Sequence, residues 1–406
     1  MTFTYMGTKK PIVGQVADVV RSAKAGPFLD LFAGISSVGE AVAPGRQIWC
    51  NDIQNFAVTV ASAKFMSRAG PEIDATVLSS ILEHANANRA KLMPLVGDWL
   101  LEEAECLHVG QIRKLKDLSS RQLTSVVSRR HQQLRVTARA FPHRQPHCLF
   151  SISYVGGYFG SKQALDIDCL KYAIDRLLSS KTISRDQHRW YVLALCKAMF
   201  AVANTTGHFA QYLEIKSTTL TRFLAKRKRD VLTEWIGAIR DLEPAGTAEW
   251  RRGNKVFKGE ASRLLHRLKR SNTKPSVIYA DPPYTTDQYS RYYHLLETLI
   301  AYDYPELQGK GQYRPGRFVS EFSLQSRVIP AFEGLISKAA DLGSDLILNY
   351  PESGLLVDTK QSLLRLLRKY FQQAEVAANI PHQHSTLGAS NGIERSPVTE
   401  LVFYAR

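Results

Sequence analysis

The chain has 406 residues, of which 44% are hydrophobic and 22% are charged. This is the composition of a globular protein, and the length exceeds that of one typical domain. The net charge of +16 is unusual for an enzyme of small neutral metabolites. It favours a polyanionic partner such as nucleic acid, because phosphates attract lysine and arginine.

Three absences in the sequence narrow the class of protein. No run approaches the roughly 18 apolar residues of a membrane-spanning helix. The first residues lack the apolar core of a signal peptide. The five cysteines are scattered and show no metal-ligand spacing, so the sequence predicts a cytoplasmic protein with reduced thiols and no metal site.

The first 65 residues have the order strand, glycine turn, helix, strand. A short apolar run at 27–32 leads to Gly34, and a helix-like segment begins near Ser36. A second short strand at 47–50 leads to Asp52. This order is typical of a nucleotide-binding α/β sheet.

The next stretch, 66–250, is basic and mainly helical by its pattern. Segments 164–178 and 190–203 have helical periodicity. Residues 111–150 carry nine lysines or arginines against one acidic residue. The run Lys-Arg-Lys-Arg at 226–229 is either a solvated helix face or part of a surface that binds nucleic acid.

The α/β pattern returns after residue 250. Apolar runs at 277–280, 345–349 and 400–404 predict strands, and the spacing of leucines at 362–371 predicts a helix. The sequence therefore predicts an α/β catalytic domain that a helical insertion interrupts. The catalytic domain comprises residues 1–65 and 251–406, and the insertion comprises residues 66–250.

The tetrapeptide Asp281-Pro282-Pro283-Tyr284 follows directly on the strand predicted at 277–280. By itself, such a sequence can also be a proline turn that closes a strand. The two prolines fix φ and stiffen the loop. A carboxylate, two backbone carbonyls and an aromatic ring are thereby held at the carboxyl end of a strand, where ligands bind in open α/β sheets.

These groups suit methyl transfer to an exocyclic amino group. Such an amine is a poor nucleophile, because its lone pair is delocalised into the purine ring. Acceptance of its two hydrogens by Asp281 and the carbonyl of Pro282 favours a pyramidal, more nucleophilic nitrogen. The ring of Tyr284 offers a stacking surface worth roughly 1–3 kcal/mol. Positioning the amine in line with a methyl sulfonium requires no covalent intermediate.

The segment 30–34, Asp-Leu-Phe-Ala-Gly, is the second signal. A glycine turn after a strand lets the backbone approach a ligand closely, although it also occurs as a tight turn without a ligand. The spacing lacks the GxGxxG pattern that holds a pyrophosphate, which favours a nucleoside-type cofactor without a diphosphate. Asp52, at the end of the second strand, is placed to accept hydrogen bonds from ribose hydroxyls.

In chain order, these motifs resemble the alpha group of N6-adenine-specific DNA methyltransferases, which includes the Dam methylases and many restriction–modification methylases. The order is 5–9 (Tyr-Met-Gly-Thr-Lys), 30–34, Asp52, the basic insertion, 258–261 (Lys-Gly-Glu-Ala) and 281–284. The resemblance implies a Rossmann-like, seven-stranded, mostly parallel sheet that binds S-adenosylmethionine. It also implies that 66–250 is an inserted DNA-recognition domain.

The resemblance assigns roles to individual residues as well. The methionyl end of the cofactor would lie against 30–34, and Glu260, where most relatives have aspartate, would face its adenine. The cofactor set that the resemblance implies is Tyr5, Met6, Gly7, Lys9, Asp30, Leu31, Phe32, Ala33, Gly34, Asp52, Ile53 and Glu260. The catalytic set is Asp281, Pro282, Pro283 and Tyr284.

Three longer segments resemble a subset of the class, the type IIS-like modification enzymes. They are 281–297, 154–162 and 206–210, the last two within the insertion. The resemblance implies double-stranded DNA as a partner and a role in restriction–modification or phage defence. It leaves room for a cognate restriction endonuclease as a second partner.

Each of the other candidate sites can also be explained by an ordinary structural role. His382 and His384 are either two metal ligands or part of a solvated loop, and no carboxylate or cysteine set completes a metal site. His294 and Glu297, spaced i, i+3, either serve DNA or the base pocket or pack a helix face on the sheet. The nine basic residues at 251–274 lead directly into the proline motif and are candidates for lining a DNA groove.

The leading hypothesis is methylation of adenine N6 in a specific sequence of double-stranded DNA, after the base is flipped out of the helix. The same chemistry on RNA or on N4 of cytosine is the first alternative, although cytosine enzymes more often carry serine in place of Asp281. A basic DNA-binding protein with an inactive methyltransferase sheet is the second. The intact motif order argues against it.

Overall fold

The computed structural model describes residues 12–141, 146–383 and 397–406. Within them the chain forms two compact units. The sheet unit comprises the described parts of Tyr5–Arg68, Pro244–Tyr292 and Phe318–Arg406, and the helical unit comprises the described parts of Ala69–Glu243 and Tyr293–Arg317. The segment Tyr293–Arg317 thus groups with the helices, although it lies within the range 251–406 that the sequence assigns to the catalytic domain.

Seven strands are present among the described residues, and they form one sheet. They are β1 (Phe28–Asp30), β2 (Ile48–Asp52), β3 (Lys255–Lys258), β4 (Val277–Ala280), β5 (Asp345–Pro351), β6 (Ala374–Gln383) and β7 (Pro397–Ala405). Their spatial order is β3-β2-β1-β4-β5-β7-β6. All are parallel except β7, which runs antiparallel to both of its neighbours. The predicted seven-stranded, mostly parallel sheet is confirmed.

The helices follow the strands in the sheet unit and make up most of the helical unit. They are α1 (Val13–Ser22), α2 (Ser37–Val42), α3 (Asn55–Met66), α4 (Ala75–Val109), α5 (Ile112–Val126), α6 (Arg129–Ala140), α7 (Leu149–Ser153), α8 (Ser161–Ser179), α9 (Arg185–Val202), α10 (Leu220–Arg227), α11 (Val231–Arg240), α12 (Ala248–Arg251), α13 (Ala261–Arg270), α14 (Tyr289–Tyr292), α15 (His294–Ala301), α16 (Val328–Asp341) and α17 (Thr359–Tyr370), with short 3-10 turns at Ser217–Thr219 and Glu321–Ser323. Within the described ranges, no helix combines the length and the apolar character needed to cross a membrane.

Both faces of the sheet are buried under helices. Successive side chains of a strand point to opposite faces, so each strand serves two separate cores. On one face Val20 of α1 packs with Phe28 of β1. On the other face Leu264 of α13 and Phe332 of α16 pack with Leu346 of β5. Burial on both faces explains why the central strands are almost continuously apolar.

The strand order determines where a ligand can bind. β1 has β2 on one side and β4 on the other. The helix α2, which follows β1, covers one face of the sheet, and α16, which follows β4, covers the opposite face. In open α/β sheets, ligands bind outside the carboxyl ends of the strands at such a switch point. Residues 31–34 and 281–284 extend from the carboxyl ends of β1 and β4 at this place.

In the helical unit, the two segments that resemble type IIS-like enzymes meet in the core. Tyr158, in the first segment, is fully buried, and its hydroxyl donates to the carbonyl of Phe209, in the second, at 2.7 Å. The same hydroxyl donates to the carbonyl of Gly311 at 3.0 Å. These segments therefore hold the helical unit together.

His294 belongs to the same core. It is fully buried at the start of α15, and its Nε2 lies 3.0 Å from the carbonyl oxygen of Phe209. Burial lowers the pKa of His294 to about 3. His294 is therefore a packing residue, but the expected packing on the sheet is wrong, because its partners belong to the helical unit.

We expect His294 to make the stability of the protein depend on pH. Its folded pKa lies below the unfolded value of about 6.5, so its contribution is fully present above that pH and is lost as the pH falls towards 3. His294→Gln keeps a donor for Phe209 and does not titrate. Between pH 7 and pH 5, the wild type should lose about 2 kcal/mol of unfolding free energy more than the variant. Urea unfolding of both proteins at the two pH values measures this, and equal losses would contradict it.

Candidate active site

A cavity of about 410 Å³ lies at the carboxyl edge of the sheet, within the sheet unit. Its volume falls in the usual range of small-molecule sites, roughly 300–1,000 Å³. The loops that follow β1, β2, β3 and β4 form most of its wall. The cavity is lined by residues of 31–34, 51–54, 259–263, 281–284, 288–290 and 318–322.

A glycine and an aspartate hold the loop after β1 in place. Gly34 has a φ of 50°, a left-handed conformation that glycine adopts without strain. Its amide donates to Oδ2 of Asp52 at 2.9 Å, and the amide of Gln54 donates to Oδ1 at 2.9 Å. Each carboxylate oxygen can accept a further hydrogen bond, so Asp52 can hold this loop and a ligand together.

Asp30, the last residue of β1, is a buried acid in an unfavourable environment. Burial raises its pKa well above the usual value, and the nearby carboxylates of Asp281 and Asp52 raise it further. The backbone amide of Phe32 partly offsets these effects by donating a hydrogen bond. Among the described residues, Oδ1 of Asp30 has no hydrogen-bond partner. Buried acids with such shifts are concentrated at functional sites.

Next to β3, the cavity is lined by Glu260, which caps the N-terminus of α13. Glu260 precedes α13, and its carboxylate accepts hydrogen bonds from the amides of Ser262 and Arg263 at 2.8 and 2.9 Å. Nδ2 of Asn51, on β2, donates to the carbonyl of Gly259 at 3.1 Å. Glu260 therefore lines the cavity in an orientation that the start of α13 fixes.

The proline motif forms the opposite wall. Pro282 is buried, and Asp281 accepts a hydrogen bond from Nδ2 of Asn349 at 3.4 Å. Tyr284 is only 9% exposed, and its ring packs edge-on against Tyr350, with the ring centroids 6.4 Å apart. The aromatic ring and the carboxylate of the motif are thus both supported by β5.

The sequence did not predict the wall formed by 288–290 and 318–322. Two hydrogen bonds join these segments. Ser290 donates from its hydroxyl to the carbonyl of Phe318 at 2.8 Å, and the amide of Ser320 donates to the side chain of Gln288 at 2.8 Å. Neither segment has a strand or a long helix, so no periodic pattern marks it. Residues 288–290 lie within the segment 281–297 that resembles type IIS-like enzymes, whereas 318–322 has only its aromatic residues as a sequence signal.

The structure brings most of the predicted site residues to this one cavity. The residues that line it are Leu31, Phe32, Gly34, Asp52, Ile53 and Glu260 of the cofactor set and Asp281, Pro282, Pro283 and Tyr284 of the catalytic set. Asp30 and Ala33 are buried and do not line it. Tyr5, Met6, Gly7 and Lys9 lie outside the described residues.

Some basic residues that were candidates for binding DNA serve the fold. In the run 226–229, Arg227 is buried and donates to the carbonyl of Gly157 at 3.1 Å. Its neighbour Lys226 donates to the carbonyl of Ala201 at 2.6 Å. Burial of Arg227 contradicts both alternatives for that residue, whereas Lys226 is half-buried and its ammonium contacts backbone carbonyls of the helical unit.

The helix α13 keeps its basic residues at the surface. Its leucines, such as Leu264 and Leu268, are buried against the sheet, whereas Arg263, Arg267 and Arg270 are exposed. Arg263 also lines the cavity. A positively charged helix face therefore begins at the cavity and extends away from it.

The paired histidines were the one candidate metal site. Nε2 of His382 lies 3.5 Å from Oε1 of Glu400, and His384 lies outside the described residues. In the part of the chain that the structure describes, no three histidine, cysteine or acidic side chains are grouped to hold a metal ion.

The sheet order, the switch point and the loops after β1 and β4 define the fold of an S-adenosylmethionine-dependent methyltransferase. Residues 252–339 match the family model of the D12 class N6 adenine-specific DNA methyltransferases. Over these residues the chain is similar to this family, so the resemblance drawn from its motif order is confirmed. The family model and the relatives named below are DNA methyltransferases, which supports the predicted enzyme class.

The chain is similar to modification methylases along most of its own length. It is 23% identical to the modification methylase LlaI of Lactococcus lactis subsp. lactis over 405 residues, which are 98% of this chain and 54% of that protein. It is 23% identical to the type II methyltransferase M.FokI of Planomicrobium okeanokoites over 368 residues, 89% of this chain and 46% of that protein. The chain spans about half the length of these relatives. The similarity includes the helical unit as well as the proline motif.

Asp30→Asn should stabilise the ligand-free protein at alkaline pH. The folded pKa of Asp30 is raised, so its contribution to stability is full below the unfolded pKa and is lost as the pH rises through the folded pKa. Asparagine keeps an acceptor for the amide of Phe32 and carries no charge. At pH 8 we expect the variant to gain about 0.5–2 kcal/mol in unfolding free energy, and less at pH 5.

Urea unfolding at both pH values measures the effect, with Asp18→Asn as the control because Asp18 is an exposed acid of α1. If Asp30→Asn is no more stable than the wild type at pH 8, the electrostatic description of Asp30 is wrong.

Proposed function

We propose that the protein transfers a methyl group from S-adenosylmethionine to N6 of adenine in double-stranded DNA, with the target base turned out of the helix. One observation carries the proposal. The same cavity of about 410 Å³ is lined by Leu31, Phe32, Gly34 and Asp52 on one side and by the proline motif 281–284 on the other. A nucleoside cofactor and an amino group thus have adjoining binding walls.

The first wall fits a cationic nucleoside. S-adenosylmethionine carries a sulfonium and an ammonium, and when bound it supplies an electrophilic methyl group. Asp30 is buried at the end of β1, next to this wall, and its Oδ1 has no partner among the described residues. The carboxylates of Asp52 and Asp281 line the cavity itself, and the three acids together favour a positively charged ligand. Asp52 would hold the ribose hydroxyls and Glu260 the adenine edge. The segment 5–9 keeps its role near the cofactor through the resemblance alone.

The second wall fits a flipped adenine. Asp281 and the carbonyl of Pro282 accept the two hydrogens of the amino group, which favours a more nucleophilic nitrogen. The fixed φ angles of Pro282 and Pro283 keep these acceptors in place before the base arrives. Tyr284 stacks on the base and offsets part of the few kcal/mol needed to unstack it from the duplex. Preorganised acceptors of this kind act on the rate of transfer.

The charge of the protein fits a DNA partner. The exposed face of α13 carries Arg263, Arg267 and Arg270 and begins at the cavity, so it can contact phosphates beside the flipped base. Basic residues at 111–150 of the insertion add further charge. The relatives are named as modification methylases, which favours a role in restriction–modification with a cognate endonuclease as a second partner.

Asp52→Ala is expected to weaken binding of S-adenosylmethionine. The wild type should bind in the micromolar range, about −8 kcal/mol. The variant loses charge-assisted hydrogen bonds to the ribose and releases the amide of Gly34, so affinity should fall roughly ten- to hundredfold. Calorimetry measures both constants. Asp18→Ala, which removes an exposed acid of the same unit, should bind like the wild type. Unchanged binding by Asp52→Ala would refute the assignment of this wall.

Variants of the proline motif test the reaction itself. Asp281→Ala should bind cofactor and DNA but transfer methyl groups hardly at all, because Asp281 acts on the nucleophile and not on affinity. Tyr284→Phe should stay active, since stacking needs the ring, and Tyr284→Ala should be badly impaired. Tyr370→Ala, which removes an aromatic ring of α17 away from the cavity, is the control.

The measurement uses unmethylated genomic DNA first, with modified positions found by sequencing, and then a duplex that carries the site found. Single-turnover methylation of this duplex gives the rates, and mass spectrometry identifies the product base. A product other than N6-methyladenine, or substantial activity of Asp281→Ala, would overturn the proposed function.

A further inference from the structure

A buried carboxamide bridges two carboxylates behind the proline motif. Asn349 lies on β5 and is fully buried. Its Nδ2 donates to Oδ1 of Asp281 at 3.4 Å and to Oε2 of Glu400 at 2.8 Å. Both hydrogens of one amide nitrogen are therefore used, each by a different acid.

This arrangement fixes which way the carboxamide points. A rotation of Asn349 by 180° about its terminal bond would bring Oδ1, an acceptor without a proton, against two carboxylate oxygens. In the observed orientation, Oδ1 of Asn349 is buried and has no partner among the described residues. Leaving a buried acceptor unpaired costs free energy, so the two hydrogen bonds of Nδ2 hold the side chain against that cost.

Glu400 is held from its other side as well. It is 2% exposed, it pairs with Pro351 across the antiparallel β5–β7 ladder, and its Oε1 lies 3.5 Å from Nε2 of His382 on β6. The contacts run from His382 through Glu400 and Asn349 to Asp281, across four strands of the sheet. Asn349, Glu400 and His382 do not line the cavity, so their effect on a ligand passes through Asp281.

We propose that Asn349 is a positioning residue for the reaction proposed above, and that Glu400 keeps it in place. The terminal torsion of an aspartate is soft, so an unsupported carboxylate rotates over a broad range. A hydrogen bond from Asn349 to one oxygen of Asp281 sets the plane of the carboxylate and hence the direction of its other lone pairs. Those lone pairs then meet the amino group of the target base in one orientation. A carboxamide does not titrate, so Asn349 orients Asp281 and does not relay its proton.

The proposal predicts a loss of rate at nearly unchanged affinity. Small misplacements of a reacting group are costly in turnover, whereas the groups that bind the cofactor and the DNA stay in place. In Asn349→Ala, the single-turnover methylation rate should fall about ten- to hundredfold. The dissociation constants for S-adenosylmethionine and for DNA should change less than threefold. Glu400→Ala should lower the rate about tenfold, and Glu400→Gln, which keeps an acceptor for Nδ2, should restore most of it.

Asn254→Ala is the matched control. Asn254 is also a buried asparagine of the sheet unit, and it bonds the amide of Ile48 and the carbonyl of Phe65 away from the cavity. This variant should lower the melting temperature without a selective loss of rate. A second check is the double variant Asp281→Asn with Asn349→Ala, which should be no slower than Asp281→Asn alone, because Asn349 acts through Asp281.

The outcomes separate this proposal from the proposed function. An inactive wild type on every DNA tested overturns both. An active wild type that makes N6-methyladenine supports the function, and the ratio of rates then decides the role of Asn349. Asn349→Ala with the wild-type rate overturns the positioning role. So does an Asn349→Ala variant whose loss of rate is matched by weaker binding of both ligands, or a Glu400→Gln variant that is as slow as Glu400→Ala.

Discussion

The crowding of carboxylates at one edge of the sheet is the constraint on which the rest of the site depends. Parallel strands end side by side, so the acids that close β1, β2 and β4 become neighbours. Like charges in a buried position oppose folding. Asp52 is compensated by two backbone amides and Asp281 by a buried carboxamide, whereas Asp30 keeps a strongly unfavourable environment. The site is therefore built around acids whose mutual repulsion is relieved by a bound proton or by a cationic ligand.

Three of the loops at this edge are each stiffened by a different device. The loop after β1 uses a left-handed glycine, the loop after β3 uses the cap of α13, and the loop after β4 uses two consecutive prolines. Behind the last of these, β5 and β7 supply the polar contacts of Asn349 and Glu400. All of these devices act before a ligand is present. They give a site in which little reorganisation is left to the moment of reaction.

The sequence predicted the central strands because these are buried on both faces and therefore apolar. It missed β3 and β6, which lie at the two edges of the sheet. β3 is the four-residue segment Lys255–Lys258, whose first and last side chains are exposed, and β6 mixes polar residues with a proline. Edge strands of this kind carry little hydrophobic pattern, since only part of each is buried.

Within the site, the residues that stand in short motifs could be predicted, and those that act through tertiary contacts could not. The segments 30–34 and 281–284 have a local pattern. Asn349, by contrast, is one polar residue at the end of an apolar strand, and its partner Glu400 is 51 residues away in sequence. Only the pairing of β5 with β7 brings them together. The wall formed by 318–322 was missed for a similar reason, because side-chain hydrogen bonds and not periodicity hold it.

Under the proposed function, the unfavourable environment of Asp30 links the folded population of the protein to its supply of S-adenosylmethionine. A cation that binds beside Asp30 in the folded chain, and not in the unfolded one, shifts the folding equilibrium by mass action. A cell poor in that cation would hold more of the chain in opened states that proteases can attack. The abundance of the protein would then rise and fall with the metabolite itself, through degradation and without any regulator.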